Sequence, residues 1–161
     1  NEAKDVLEIT KGMGGENDFE QSVSCIGVPT CQIGVCDSQA SLREMISYVK
    51  ENNGATEYLP KVYFSGCGNS CGVHEIGAIG FMGKMKRVDG QLLESFELYI
   101  DGSYKEKEAR LAEKYGEILG RDIPKFILEL SNMLKDNNIG FIEYIKTNND
   151  DFKALVEKYN N

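Results

Sequence analysis

Four of the five cysteines fall into two pairs with unequal spacing, and each pair lies in a glycine-containing turn. Cys25 and Cys31 are separated by five residues, and Cys67 and Cys71 by three. The polar start of the sequence, NEAKD, has no secretory signal. In a reducing compartment, clustered cysteines are metal ligands more often than disulfides. The quartet therefore predicts a four-thiolate metal site in a cytoplasmic protein.

The spacing of these thiolates bears on which metal they hold. Structural zinc sites usually pair their ligands roughly two to four residues apart, often with both pairs alike. Thiolates suit iron–sulfur clusters as well as zinc, and the five-residue gap between Cys25 and Cys31 is wider than a usual zinc pair. The pattern favours a [4Fe–4S] cluster. A four-cysteine zinc domain and a metal-free fold held by disulfides stay open as alternatives.

The residues flanking the two pairs resemble one protein family. The segments SCIG and TCQIG of the first pair, and CGNSCGVH followed by IGFMG of the second, closely resemble the iron–sulfur/siroheme domain of sulfite and nitrite reductases. The resemblance runs from about Val23 to Asp101 and more weakly to about Leu134. It implies a [4Fe–4S] cluster held by Cys25, Cys31, Cys67 and Cys71, with Cys71 bridging to the catalytic siroheme iron and Asn69 lying against the siroheme.

Four further residues in or near these motifs are Gly68, Asn69, Cys36 and His74. Gly68 stands where family members usually have proline, which predicts a looser turn. Asn69 could instead be a turn asparagine that satisfies local backbone groups.

Cys36 matches no family ligand. Because it lies just before a helix start, its pKa could be lowered, or it could be a free, partly buried thiol. His74, the only histidine, could approach the cluster or simply pack.

The resemblance also implies an activity. It is the six-electron reduction of sulfite to sulfide or of nitrite to ammonia, with electrons from a donor such as ferredoxin passing through the Cys71 thiolate. In the family, most basic residues that grip substrate belong to an upstream half. The sequence begins with Asn1 and not Met, so we expect a piece of a longer reductase that is inactive without that partner. A stand-alone electron-transfer module without siroheme is the other alternative.

The charge and hydropathy of the chain restrict its partners. A formal net charge of −8 argues against nucleic acid, which requires clustered Lys and Arg, and gives no general attraction for anions. The best basic cluster is Lys84, Lys86 and Arg87, which is either a local anion site or, as we favour, the solvated end of a hairpin. No apolar run approaches the ~20 residues that span a bilayer.

Hydrophobic periodicity predicts an α+β fold, a mixed β-sheet with packed helices and a helical C-terminal part, similar to the nitrite/sulfite reductase 4Fe–4S domain. Strands are expected at 21–24, 61–65, 78–86 and 93–100, the last two as a hairpin across Val88-Asp89-Gly90. Helices are expected from Asp37 or Ser38 to about residue 52, and at 105–119, 123–134, 139–146 and 150–159. The predicted organisation is a lead-in at 1–20, the cluster- and siroheme-binding domain at 21–136, and a helical extension at 137–161.

Overall fold

A computed structural model describes residues 2–11 and 15–160 of the chain. Its centre is a five-stranded sheet whose spatial order follows the sequence. The first three strands run parallel to one another, and the last two continue the sheet antiparallel. The predicted mixed sheet is therefore confirmed. The strands are β1 (Val23–Ser24), β2 (Val62–Ser65), β3 (Ile79–Val88), β4 (Gln91–Ile100) and β5 (Glu113–Leu119).

Helices cover one face of this sheet. Helix α2 (Ser38–Glu51) contacts α3 (Ile123–Asn137) and the first two strands, and α5 (Asn149–Tyr159) contacts both α3 and β5. Beneath them, Phe64 stacks on Phe81 with ring centroids 4.7 Å apart, and Phe96 meets Phe64 edge-on at 5.5 Å. All three rings are fully buried, and such pairs stabilise a core beyond their buried area. The described helices are α1 (Glu2–Ile9), α2 (Ser38–Glu51), α3 (Ile123–Asn137), α4 (Phe141–Thr147) and α5 (Asn149–Tyr159).

Strand register sets which side chains face away from the helices. Phe64 pairs with Phe81, so the next residues along, Ser65 and Met82, point to the opposite face. Glu97 of β4 is the cross-strand partner of Met82 and lies on that same face. The opposite face of the sheet therefore carries polar groups close to the point where β2 ends and the second cysteine pair begins.

Local signals place α2 and the hairpin where the sequence predicts them. The Asp37 carboxylate accepts a hydrogen bond from the Ala40 N–H at 2.9 Å and caps α2. Strands β3 and β4 are joined by Asp89 and Gly90, both with positive φ, as a tight two-residue hairpin turn requires. The two predicted C-terminal helices are confirmed as α4 and α5.

The helix predicted at 105–119 is wrong. This region begins as a loop with an isolated bridge between Ser103 and Arg110, and then forms β5. Its Glu, Lys, Ala and Leu content favours a helix only weakly per residue. The open edge of β4 offers a ladder of backbone hydrogen bonds, and the pairing buries Ile118 and Leu119. Tertiary pairing overrides the local preference.

The predicted lead-in is partly structured. It contains α1, on which no residue is buried, and Phe19, which is fully buried in the core. Asn1, Gly12 and Gly14 lie outside the described residues. At the other end, Phe141 and Phe152 of the last helices belong to the same core. The predicted divisions after residues 20 and 136 stay predictions.

Candidate metal centre

The first cysteine pair sits in a closed loop directly after β1. The Cys25 N–H donates to the Phe64 carbonyl at 3.0 Å, which continues the β1–β2 pairing by one residue. Gly27 then turns the chain with a φ of +71°, a conformation that glycine adopts without strain. Its carbonyl accepts the Cys31 N–H at 2.8 Å. The loop that turns at Gly27 thus carries two cysteines that line one cavity.

The second pair sits in the turn that leaves β2. Ser70 and Val73 both have positive φ, 55° and 48°, and the Val73 N–H donates to the Ser70 carbonyl at 2.8 Å. Gly72 is pressed against β2: a Cβ at this position would lie 1.8 Å from the Phe64 carbonyl oxygen. Only a residue without a side chain lets the turn that ends in Cys71 lie this close to the strand.

All four predicted ligands line one cavity of about 250 Å³. Cys25, Cys31 and Cys67 are half-buried, and Cys71 is exposed. In the described part of the chain, no group of three His, Cys, Asp or Glu side chains forms that could hold a metal ion. The four thiols share the lining of this cavity. The rest of the lining comprises Ile26, Gly27, Ile33, Gly34, Gly66 and Asn69.

The surroundings of the cavity are mostly apolar. Ile26 is 51% exposed and Ile33 is 68% exposed, and Val73 beside Cys71 is also exposed. Asn69 lines the cavity, and its backbone carbonyl accepts a hydrogen bond from the Cys71 thiol at 3.8 Å. The structure thus brings Asn69 to the four cysteines, and its expected contact with siroheme stays a prediction.

Cys25 lies in a more polar environment than the rest of the cavity. Its sulfur accepts the Gly66 N–H at 3.1 Å and lies 3.2 Å from the Ser38 hydroxyl oxygen. Burial by itself raises the pKa of this thiol, but the hydrogen bonds from Ser38, Gly66 and Gly27 outweigh it, so the pKa lies below its ordinary value. Hydrogen bonds to the sulfur stabilise the thiolate relative to the thiol, and the thiolate is the form that binds metal. The sequence marks Ser38 as a possible helix start near the first pair, but no local pattern predicts its contact with Cys25.

Cys36 does not line the cavity. Its thiol is fully buried and points to the carbonyl oxygens of Lys84 at 3.3 Å and Ser95 at 3.7 Å. Burial, with a contribution from nearby Glu94, raises its pKa to about 12. The suggestion that a helix N-terminus lowers this pKa is wrong, because loss of solvent dominates. The alternative of a free thiol fits the structure, in which Cys36 is fully and not partly buried.

His74 packs inside the protein and does not line the cavity. Its Nδ1 is 2.9 Å from the Ser65 hydroxyl oxygen, and its ring meets Tyr99 edge-on with centroids 4.7 Å apart. The same Ser65 oxygen accepts the Gly72 N–H at 3.1 Å. The Ser65 hydroxyl thus links the His74 ring to the second cysteine turn. Burial lowers the pKa of His74, against the opposing effect of Glu75 and Glu97. Sequence reasoning missed Ser65, which carries no motif of its own.

The basic cluster is largely ion-paired. Lys84 Nζ lies 3.0 Å from Glu97 and 3.5 Å from Glu117, and Lys86 Nζ lies 3.9 Å from Glu117. The Arg87 guanidinium donates to the Gly90 carbonyl within the hairpin turn. Burial raises the pKa of Glu97, but hydrogen bonds from Lys114 and Lys84 outweigh it and hold the pKa below its ordinary value. This pairing fits the favoured interpretation, a solvated hairpin end, better than an anion site.

Comparisons with known proteins point to one group. No protein-family model matches the chain. The chain is 27% identical over 126 residues to the sulfite reductase (NADPH) hemoprotein beta-component of Bacillus licheniformis, a match that covers 74% of this chain and 20% of that protein. It is 21% identical over 125 residues to an assimilatory ferredoxin-dependent nitrite reductase of Haloferax mediterranei, covering 76% of this chain and 21% of the relative. The chain therefore spans about a fifth of the length of these relatives.

A solved structure has a fold similar to that of this chain. The structure of the NirA protein of Mycobacterium tuberculosis superimposes with a TM-score of 0.62 at 20% identity, over 78% of this chain and 25% of that one. No helix in the described part of the chain is both long and apolar enough to cross a membrane. The resemblance carried by the two cysteine pairs is confirmed: in sequence this chain is similar to one segment of the sulfite and nitrite reductase hemoproteins, and its fold is similar to part of NirA.

Proposed function

We propose that this chain is the [4Fe–4S]- and siroheme-binding segment of a sulfite or nitrite reductase, and hence part of an oxidoreductase. One observation carries the proposal: Cys25, Cys31, Cys67 and Cys71, from two separate loops, line the same cavity. The similarity to hemoproteins of this group supports it.

The residues present fit an iron–sulfur cluster. Four thiols are the ligand set of a cubane, and all four line one cavity of about 250 Å³. Gly66 and Gly27 bring backbone N–H groups to the Cys25 sulfur, and hydrogen bonds to sulfur are one means by which proteins adjust clusters. The apolar Ile26 and Ile33 would keep water from the metal.

Each ligand has a distinct position in this proposal. Cys25, Cys31 and Cys67 are half-buried and would hold the cluster from the protein side. Cys71 is exposed, so its sulfur can be shared with a siroheme iron that approaches from outside, with Asn69 beside the macrocycle. When bound, the two groups supply the single-electron chemistry for six-electron reduction of sulfite or nitrite. The chain itself orients the thiolates and shields them.

The proposal includes partners that this chain does not supply. Its lysines near the hairpin are paired with Glu97 and Glu117, which leaves few cations for the carboxylates of siroheme or for an anionic substrate. An upstream half of the same reductase would provide them, and a donor such as ferredoxin the electrons, in the cytoplasm. The 161-residue chain alone is therefore expected to be inactive.

Anaerobic reconstitution with iron and sulfide tests the proposal. We expect about four irons per chain, the content of one cubane. Cys67→Ser should abolish iron binding, and Cys36→Ser, outside the cavity, is the matched control and should retain it. Stoichiometric zinc without iron in protein purified free of oxygen would contradict the cluster. Iron–sulfur absorbance without a haem band, after the natural upstream sequence is restored, would favour an electron-transfer module.

A further inference from the structure

The side chain of Ser38 meets one of the four predicted ligands. Ser38 is the first residue of α2 and is fully buried. Its hydroxyl oxygen lies 3.2 Å from the Cys25 sulfur, and the Gly66 N–H reaches the same sulfur at 3.1 Å. Two hydrogen-bonding groups therefore converge on this sulfur, one from the start of α2 and one from the segment that follows β2.

Close packing fixes this arrangement. A Cβ at Gly27 would lie 3.0 Å from both the backbone nitrogen and the hydroxyl oxygen of Ser38. A Cβ at Gly66 would lie 2.8 Å from the Cys36 carbonyl oxygen and 3.4 Å from the Ser38 hydroxyl oxygen. Two loops thus close over Ser38 at glycines. Its hydroxyl is excluded from solvent, and both of its hydrogen-bonding contacts are with Cys25.

The single hydroxyl proton has two acceptors within reach. The Ser38 hydroxyl also lies 3.1 Å from the Cys25 carbonyl oxygen, so it can donate to that carbonyl while the neutral thiol donates to Ser38. A sulfur that binds iron is a thiolate and can only accept. Hydrogen bonds to a charged acceptor are about twice as strong as neutral ones, so the hydroxyl then donates to the sulfur.

We infer that Ser38 is a positioning and tuning residue: it donates a hydrogen bond to the Cys25 thiolate of the bound cluster and raises the reduction potential of that cluster. The inference rests on the proposed [4Fe–4S] site. Reduction adds negative charge, part of which resides on the cysteine sulfurs. A donor aimed at one sulfur stabilises the reduced form more than the oxidised form.

Ser38→Ala tests the inference in the reconstituted chain. Ser41→Ala is the matched control: Ser41 lies in the same helix and its hydroxyl donates to the Asp37 carbonyl at 3.0 Å, away from sulfur. An anaerobic redox titration followed by electron paramagnetic resonance gives the midpoint potential. Ser38→Ala should lower the midpoint potential by about 59 mV. For one electron this is a tenfold decrease in the ratio of reduced to oxidised cluster at a given potential. The control should match the unmodified chain.

A spectroscopic measurement supplements the potential. Exchange into deuterium oxide should shift the iron–thiolate stretching bands of the unmodified chain in resonance Raman spectra, and Ser38→Ala should reduce that shift. The inference is overturned if Ser38→Ala and Ser41→Ala have equal potentials and equal deuterium shifts. That result would not contradict the proposed cluster itself. An unmodified chain that takes up no iron would overturn the proposed function, and the inference with it.

Discussion

Replacing Gly72 with alanine tests whether contact with β2 holds the second cysteine turn in place. The added Cβ would lie 1.8 Å from the carbonyl oxygen and 2.5 Å from the carbonyl carbon of Phe64, both backbone atoms of a buried strand. To reach ordinary contact at 3.4 Å, the turn must retreat by about 1.6 Å. That movement breaks the bond from the Gly72 N–H to the Ser65 hydroxyl.

The expected cost has two parts. Overpacking in a buried region costs about 1–3 kcal/mol, and a buried N–H left without its acceptor costs about 1–3 kcal/mol. Gly72→Ala should therefore lower the free energy of unfolding by about 2–6 kcal/mol, which corresponds to roughly 5–20 °C in Tm for a domain of this size. Because Cys71 precedes Gly72 directly, reconstituted iron should fall as well.

The matched control lies in the same turn. A Cβ at Gly68 would meet only the Met82 sulfur, at 3.9 Å, and neither glycine has a positive φ. Gly68→Ala should change the free energy of unfolding by no more than about 0.5 kcal/mol. Urea denaturation followed by circular dichroism measures both variants. Equal midpoints for Gly72→Ala and Gly68→Ala would refute the claim that backbone contact with β2 positions the turn.

Three further predictions concern buried titratable groups. Because the pKa of Cys36 is about 12, its alkylation in the native chain should be far slower than in urea; equal rates by mass spectrometry would contradict this. The pKa of His74 is lowered in the folded chain, so as the pH falls the unfolded chain binds a proton at this histidine before the folded chain does. The free energy of unfolding should therefore decrease as the pH falls below the usual 6.5. His74→Gln should flatten that part of the stability–pH curve, and an unchanged slope would contradict the role of His74. Glu97→Gln, which removes the carboxylate shared by half-exposed Lys84 and Lys114 and leaves Lys84 with Glu117, should cost about 1–2 kcal/mol in urea denaturation at neutral pH; no loss would refute the pairing.

Much of the secondary structure follows from local sequence. Asp37 predicts the start of α2 because a short acidic side chain can accept a free N–H at a helix end, and it does so in the structure. Asp89 and Gly90 predict the hairpin because both tolerate positive φ. The segment that forms β5 could not be predicted in this way. Its residues favour a helix, and only the neighbouring edge of β4 makes it a strand.

The sequence by itself determined the set of candidate ligands. Residue type and spacing specify Cys25, Cys31, Cys67 and Cys71, because thiolate chemistry and short loops are local properties, and the similarity to sulfite and nitrite reductase hemoproteins follows from the same motifs. Only the tertiary structure decided what surrounds them. It brings the four thiols to one cavity, sets Ser38 against a single sulfur, and buries Cys36 away from it. The physical reason is that hydrogen bonds, burial and the pKa of a thiol depend on atoms distant in the chain, which no local pattern specifies.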